Sequence, residues 1–88
     1  MSLIRLRGPL KQRAGGCSDH AVAAATVREA LLELEREQPE LHGWILDERG
    51  RVRRHINVFV DGEAGDEETA LHGDEHIDVL PAISGGVA

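Results

Sequence analysis

The apolar positions of this chain change period along its length, and the changes divide it into elements. In residues 2–7, Ser-Leu-Ile-Arg-Leu-Arg, Ile4 and Leu6 share one side of an alternating pattern, which predicts a first strand. Gly8-Pro9 breaks it, and Lys11 to Ser18 reads as a loop turning at Gly15-Gly16. Further on the period lengthens. Val27, Ala30, Leu31 and Leu34 fall at i, i+3, i+4 and i+7, a helical stripe facing a core, with Arg28, Glu29, Glu33, Arg36 and Glu37 on the solvated remainder. Thr26-Val27-Arg28-Glu29 is a capping box at its start. Pro39 stops it, so the spacing predicts a helix over Val27–Gln38. Asp19 to Ala25 stays ambiguous by pattern: its alanines favour helix, yet the cap places the helix start after them.

Period two then returns. Leu41 to Asp47, holding Trp44-Ile45-Leu46, predicts a short strand, and Asp47-Glu48-Arg49-Gly50 supplies a hairpin turn. Arg51 to Asp61 is the clearest strand: Ile56, Val58 and Val60 alternate with His55, Asn57 and Phe59, and Asp61-Gly62 closes it. Gly65 to Thr69 reads as an acidic loop and Ala70-Leu71 as a single helical turn. In the last strand Ile77 and Val79 share a side, and Pro81, unable to donate to a ladder, marks an edge or an end. One helix among several strands predicts an α+β domain. If Ile56, Val58, Val60, Ile77 and Val79 face the helix, Phe59 and Leu80 turn to the opposite face. An exposed Phe beside an exposed Leu there would form a docking patch.

The last third carries a resemblance. Gly73-Asp74-Glu75, the alternating strand after it, Leu80-Pro81-Ala82-Ile83-Ser84 and Gly85-Gly86 resemble the C-terminus of the ubiquitin-like sulfur carriers of the MoaD/ThiS family. Arg54 to Gly62 resembles the strand those carriers place before a surface loop. The resemblance implies a β-grasp fold, a mixed five-stranded sheet with one main helix packed on one face. It makes Asp19–Ala25 the second strand and sets the first and last strands side by side in parallel. Residues 1–80 would form the single domain, and 81–88 a flexible tail.

The chemistry it implies centres on the Gly86 carboxylate. A ubiquitin-activating-type adenylyltransferase would spend ATP to make the acyl-adenylate. A sulfur donor would then convert it to a thiocarboxylate, and a sulfur-accepting biosynthetic enzyme would take the sulfur. Gly85 and Gly86 lack Cβ atoms, so a narrow channel can close on their backbone. The stretch from Pro81 to Gly86 reaches about 20 Å when extended. The chain departs from the family pattern by continuing with Val87-Ala88, and family members made as precursors imply removal of these two by a JAMM-type zinc metallopeptidase. Phe59, Leu80, Pro81 and Ile83 are the expected partner-binding residues. The chain itself is expected to be a substrate, with no catalytic residue and no bound cofactor. Two other readings stay open: a modifier joined to protein lysines through Gly86, and a β-grasp module that binds without using its tail.

Composition narrows the partners. At 88 residues the chain holds one domain with one modest core. A net charge of −6, one Trp, one Phe and no Tyr argue against a nucleic-acid partner. Acidity favours solubility or steering toward a partner of opposite charge. No apolar run approaches the ~20 residues that span a bilayer, and Met1 to Arg5 lacks a signal organisation. The lone Cys17 suits a reducing compartment, so a cytoplasmic location is expected. No histidine or acidic partner can be argued around Cys17 as a nucleophile. His20, His42, His55, His72 and His76 raise the question of a metal, above all His72 and His76 beside Asp74, Glu75 and Asp78. Gly73 and the entry into a strand spoil a helical ligand spacing there, and no metal site is expected. Arg49, Arg51, Arg53 and Arg54 read as a solvated hairpin that could meet an acidic rim on a partner. No phosphate-binding glycine motif occurs.

Overall fold

The structure, a computed structural model, describes residues 1–16 and 19–81. Its elements run β1 (Ser2–Leu6), α1 (Pro9–Arg13), β2 (Asp19–Val22), α2 (Val27–Glu37), a 3-10 turn (Pro39–Leu41), β3 (Ile56–Val60), β4 (Glu63–Gly65) and β5 (His76–Pro81). The strands form one sheet in the order β2-β1-β5-β3-β4. β1 and β5 pair in parallel at its centre, and the other pairings are antiparallel. Period-two alternation turns Ile4, Leu6, Val22, Ile56, Val58, Ile77 and Val79 inward, and all are buried. Val27, Ala30, Leu31 and Leu34 of α2 close the core against them. The result is the β-grasp: a mixed five-stranded sheet with one main helix on one face.

The start of α2 shows why the helix begins where it does. The Thr26 hydroxyl accepts from the Glu29 amide at 3.2 Å, and the Glu29 carboxylate accepts from the Ala25 amide at 3.0 Å. The Val27 and Arg28 amides donate to the carbonyls of Thr69 and Glu67, and the Ala30 amide to that of Thr26. Three of the four donors that a helix start leaves orphaned are thus met, two of them by the loop that the sequence marks as acidic. Local sequence and tertiary contact agree on the boundary.

Elsewhere tertiary contacts overrule the pattern. The expected loop at Lys11–Ser18 begins inside α1, where Pro9 occupies the first turn and Leu10 and Ala14, one turn apart, are both buried. The expected strand over Asp19–Ala25 stops at Val22. Ala25 instead bridges segments, its carbonyl accepting from the Leu71 amide at 2.8 Å. The expected strand over Leu41–Asp47 is absent: Gly43 turns the backbone at φ 83°, and the arms of the Asp47–Gly50 turn meet only at the Leu46–Val52 bridge. The clear strand over Arg51–Asp61 shortens to Ile56–Val60, because the Ile56 amide closes a turn onto the Arg53 carbonyl. Asp61-Gly62 does more than end that strand. Both residues have positive φ, 50° and 87°, the requirement of a two-residue type I′ hairpin, and β4 follows at once. Ala70, expected in a helical turn, is extended and bridges to Thr26. Among the described residues no helix is long and apolar enough to cross a membrane.

Glu75 fixes where β5 begins. Its carbonyl accepts from the Leu3 amide at 2.9 Å, and its carboxylate accepts from the amides of His72 and Gly73 and from the Ser2 hydroxyl. The His72 bond foremost, opposed by burial and helped by the Gly73 and Ser2 bonds, lowers its pKa from the ordinary 4.5 to about 2. A carboxylate with a depressed native pKa stabilises the fold above its unfolded value, and that contribution fades as pH falls from about 4.5 toward about 2. Glu75→Gln is therefore expected to lower the urea midpoint at pH 7 and flatten its acid dependence in that window. Parallel titration of both proteins checks this, and an unchanged slope below pH 4.5 would refute it. Asp47, held low by the Arg51 and Arg49 amides, keeps part of the slope in either protein.

Candidate functional site at the end of the central strand

β5 lies in the middle of the sheet, between β1 and β3. On one side Val79 pairs with Leu6, and the Arg7 amide donates to the Val79 carbonyl at 3.2 Å. Gly8 then turns the chain at φ 60° into α1, and Arg5, Leu6, Arg7, Gly8 and Lys11 line a shallow groove. On the other side Pro81 stands opposite Ile56, the first residue of β3, with Arg54 and His55 just before it. Pro81 has no amide hydrogen to continue the ladder, which is a physical reason for the sheet to end here. Pro81 is therefore held on the β3 side by Ile56, and Val79, two residues before it, is held on both sides by Leu6 and Val58.

The outer sheet face runs up to this exit. Phe59 stands opposite Asp78, and Asn57 opposite Leu80, which makes Phe59 and Leu80 diagonal neighbours across β3 and β5. Together with Arg7 and Asp78 they line an open groove of about 430 Å³. The alternation placed both side chains on this face correctly, but each is half-buried, not exposed. Neighbouring strands flank them, Phe59 lying between Asp78 of β5 and Ala64 of β4, and the Arg7–Asp78 ion pair, 3.5 Å long, stands beside them. Pro81 is half-buried at the groove's end of the same strand. Ile83, Gly85, Gly86, Val87 and Ala88, like Cys17, lie outside the described residues.

The remaining candidates are scattered. His20 is buried on the inner side of β2 opposite Ile4, His42 meets Glu35 at 3.3 Å, and His55 precedes β3. His72 and His76 are exposed at the far end of β5, where the Glu75 carboxylate is already taken by amides. Among the described residues no three His, Cys, Asp or Glu side chains stand where they could hold a metal ion. The basic hairpin is split. The Arg49 and Arg51 amides bind the Asp47 carboxylate at 2.8 and 3.0 Å, while Arg54 sits at the foot of β3. Sequence reasoning placed Trp44 in a strand and missed its surface role: it is 44% exposed, with the Arg13 guanidinium 3.9 Å above its ring. Gly43 immediately before it was the available signal.

Comparisons with known proteins bear on this arrangement. The model of the ThiS family matches residues 4–86. Among solved structures, the chain is similar to SAMP1 from Haloferax volcanii at 30% identity and a TM-score of 0.85, over 97% of this chain and 98% of that one. It is similar to the small archaeal modifier protein 1 of Methanosarcina acetivorans at 26% identity and 0.82, over 97% and 95%. A chain of the Amycolatopsis orientalis BexX/CysO complex shares the fold at 24% identity and 0.86, over 98% and 100%. No curated protein matches the sequence.

Proposed function

The chain belongs to the ThiS family, the small ubiquitin-like sulfur carriers, and from that premise we propose that Gly86 is its reactive terminus. The observation that carries the proposal is the extent of the family match, which takes in Gly85 and closes on Gly86. Residues 87 and 88 leave first, by a metallopeptidase of the JAMM type, because a peptide-bonded Gly86 has no free carboxylate. The exposed carboxylate attacks the α-phosphorus of ATP on a ubiquitin-activating-type enzyme, forming the acyl-adenylate and releasing pyrophosphate. A persulfide on the sulfur donor displaces AMP, and a second thiol breaks the remaining S–S bond to leave the thiocarboxylate and a disulfide. A biosynthetic enzyme then accepts the sulfur. Cysteine formation and a secondary metabolite are the favoured routes. The partners hold the ATP and do the catalysis, in the cytoplasm; this chain contributes reach, an unhindered acyl carbon and a docking face.

The intact mass of the protein isolated from its own cells tests the reading. A species ending at Gly86, with one oxygen replaced by sulfur, is the expected result. Full-length mass in every fraction, sulfur starvation included, would overturn it. Phe59 supplies a second test. Phe59→Ala is expected to raise the half-saturating concentration for adenylation about tenfold, in line with loss of a central aromatic anchor. The half-buried position limits the fall in melting temperature to about 8 °C. Unchanged half-saturation would remove the outer face from the docking surface.

Similarity to proteins named as modifiers favours one further reading, attachment of Gly86 to protein amines. Higher-mass conjugates that disappear when Gly86 is deleted would establish it. Lys11 is the one lysine in the sequence, so self-conjugates would have a single side-chain acceptor.

A further inference from the structure

The net charge of −6 hides a polarised surface. Asp61, Glu63, Asp66, Glu67, Glu68, Asp74 and Glu75 fall in a stretch of the chain that holds no Lys or Arg. The structure sets Asp61, Glu63, Asp74 and Glu75 at or beside the start of β5, whereas Asp66, Glu67 and Glu68 follow Gly65, which is level with Val58 and Val79, and the Glu67 carboxylate accepts from the Val52 amide. The Asp61 amide donates to the His76 carbonyl and its carboxylate accepts from the His76 amide, while Glu75 directly precedes the strand. At the opposite end, where β5 finishes, the flanking residues are basic. Arg7 and Lys11 stand on the β1 side, and Arg54, two residues before the partner of Pro81, stands on the β3 side. Among the described residues neither Lys11 nor Arg54 has an acidic side chain within ion-pair distance. The acids near this end are Asp78, paired with Arg7, Asp19, paired with Arg5, and Glu40, which shares a hollow with Arg13 and Trp44.

We infer that this basic collar orients the molecule tail-first toward a protein whose tail-receiving cleft has an acidic rim. The inference rests on the carrier reading above, which requires the tail to enter such a cleft. A negative protein approaching a negative rim is repelled on average; a collar at one end and an acidic cap at the other convert that repulsion into a torque. Only the tail-first approach then brings opposite charges within a Debye length, about 8–10 Å at physiological salt. Rim charges of this kind act on encounter rate and its salt dependence more than on the chemistry that follows. The collar thus complements the Phe59–Leu80 groove, which has almost no charge to spare for steering.

The test uses the chain ending at Gly86 and the purified adenylating enzyme of the same cells, read by ATP–pyrophosphate exchange. Lys11→Glu combined with Arg54→Glu is expected to raise the half-saturating carrier concentration about tenfold at low salt, with the maximal rate unchanged. The wild-type value should rise with salt while the variant's stays nearly flat. Glu63→Lys with Asp74→Lys, at the far end, should not weaken exchange. Half-saturation within twofold for the collar variant, or equal weakening by the far-end variant, would overturn the inference and leave the carrier reading standing. No exchange with the wild-type chain would overturn both. Melting curves of the variants confirm that the fold persists, both collar side chains being exposed.

Discussion

A chain ending at Gly85 is expected to lose adenylation by about 100-fold or more relative to one ending at Gly86. Shortening by one residue withdraws the carboxylate by about 3.4 Å. The body cannot follow to compensate, because the tail's base is held in the sheet, Pro81 opposite Ile56 and Val79 opposite both Leu6 and Val58. A displacement of even about 1 Å at a reacting centre can remove two orders of magnitude of rate. Pyrophosphate exchange with the two chains measures the difference directly. Comparable rates would mean that the reacting group is not the Gly86 carboxylate, and the proposed chemistry would fall with it.

The largest effect on stability is expected from Leu31→Ala. Leu31 is fully buried at the centre of the α2 stripe and belongs to the core cluster. Truncation removes transfer free energy and leaves a cavity, together about 2–5 kcal/mol. A domain of this size has a total stability at the lower end of about 5–15 kcal/mol. A loss of about 3 kcal/mol lowers the melting temperature by about 12–24 °C. Leu32→Ala, one residue along and 46% exposed, should change stability by no more than about 0.5 kcal/mol. Similar losses at both positions would mean that the helix does not present the face its periodicity assigns.

That contrast marks how far the sequence could be read. A helical stripe and a capping box are local features, and α2 begins at Val27 as they require. Alternation likewise assigned the faces of β3 and β5, since a slip of one residue would bury Asn57 and Asp78 in place of Val58 and Val79. The parallel pairing of β1 with β5 was not in the pattern, which is silent on partners; resemblance supplied it. Apart from α1 and the turn at Arg53–Ile56, whose bonds are local, the misread stretches bond outside their own segments. The Ile45 carbonyl accepts from Arg53, the Val52 amide binds the Glu67 carboxylate, and Ala70 meets Thr26. Such contacts decide whether an apolar run becomes a strand or a buried strap, and no local propensity encodes them.

The site divides the same way. Gly85-Gly86 were singled out by resemblance to the family's C-terminus, and they lie outside the described residues. Phe59 and Leu80 could be assigned to one face, but only the ladder register made them diagonal neighbours and showed them half-buried beside Arg7 and Asp78. The charge polarity was invisible in a net value of −6. The sequence by itself determined the helix and the inward face of the central strands, both of which follow from residue type and spacing. Tertiary structure alone decided which strands touch, where β5 ends and which charges surround that end. Those depend on how distant segments share one core, and the energy that settles them is the burial of Ile4, Leu31, Ile77 and Val79 together.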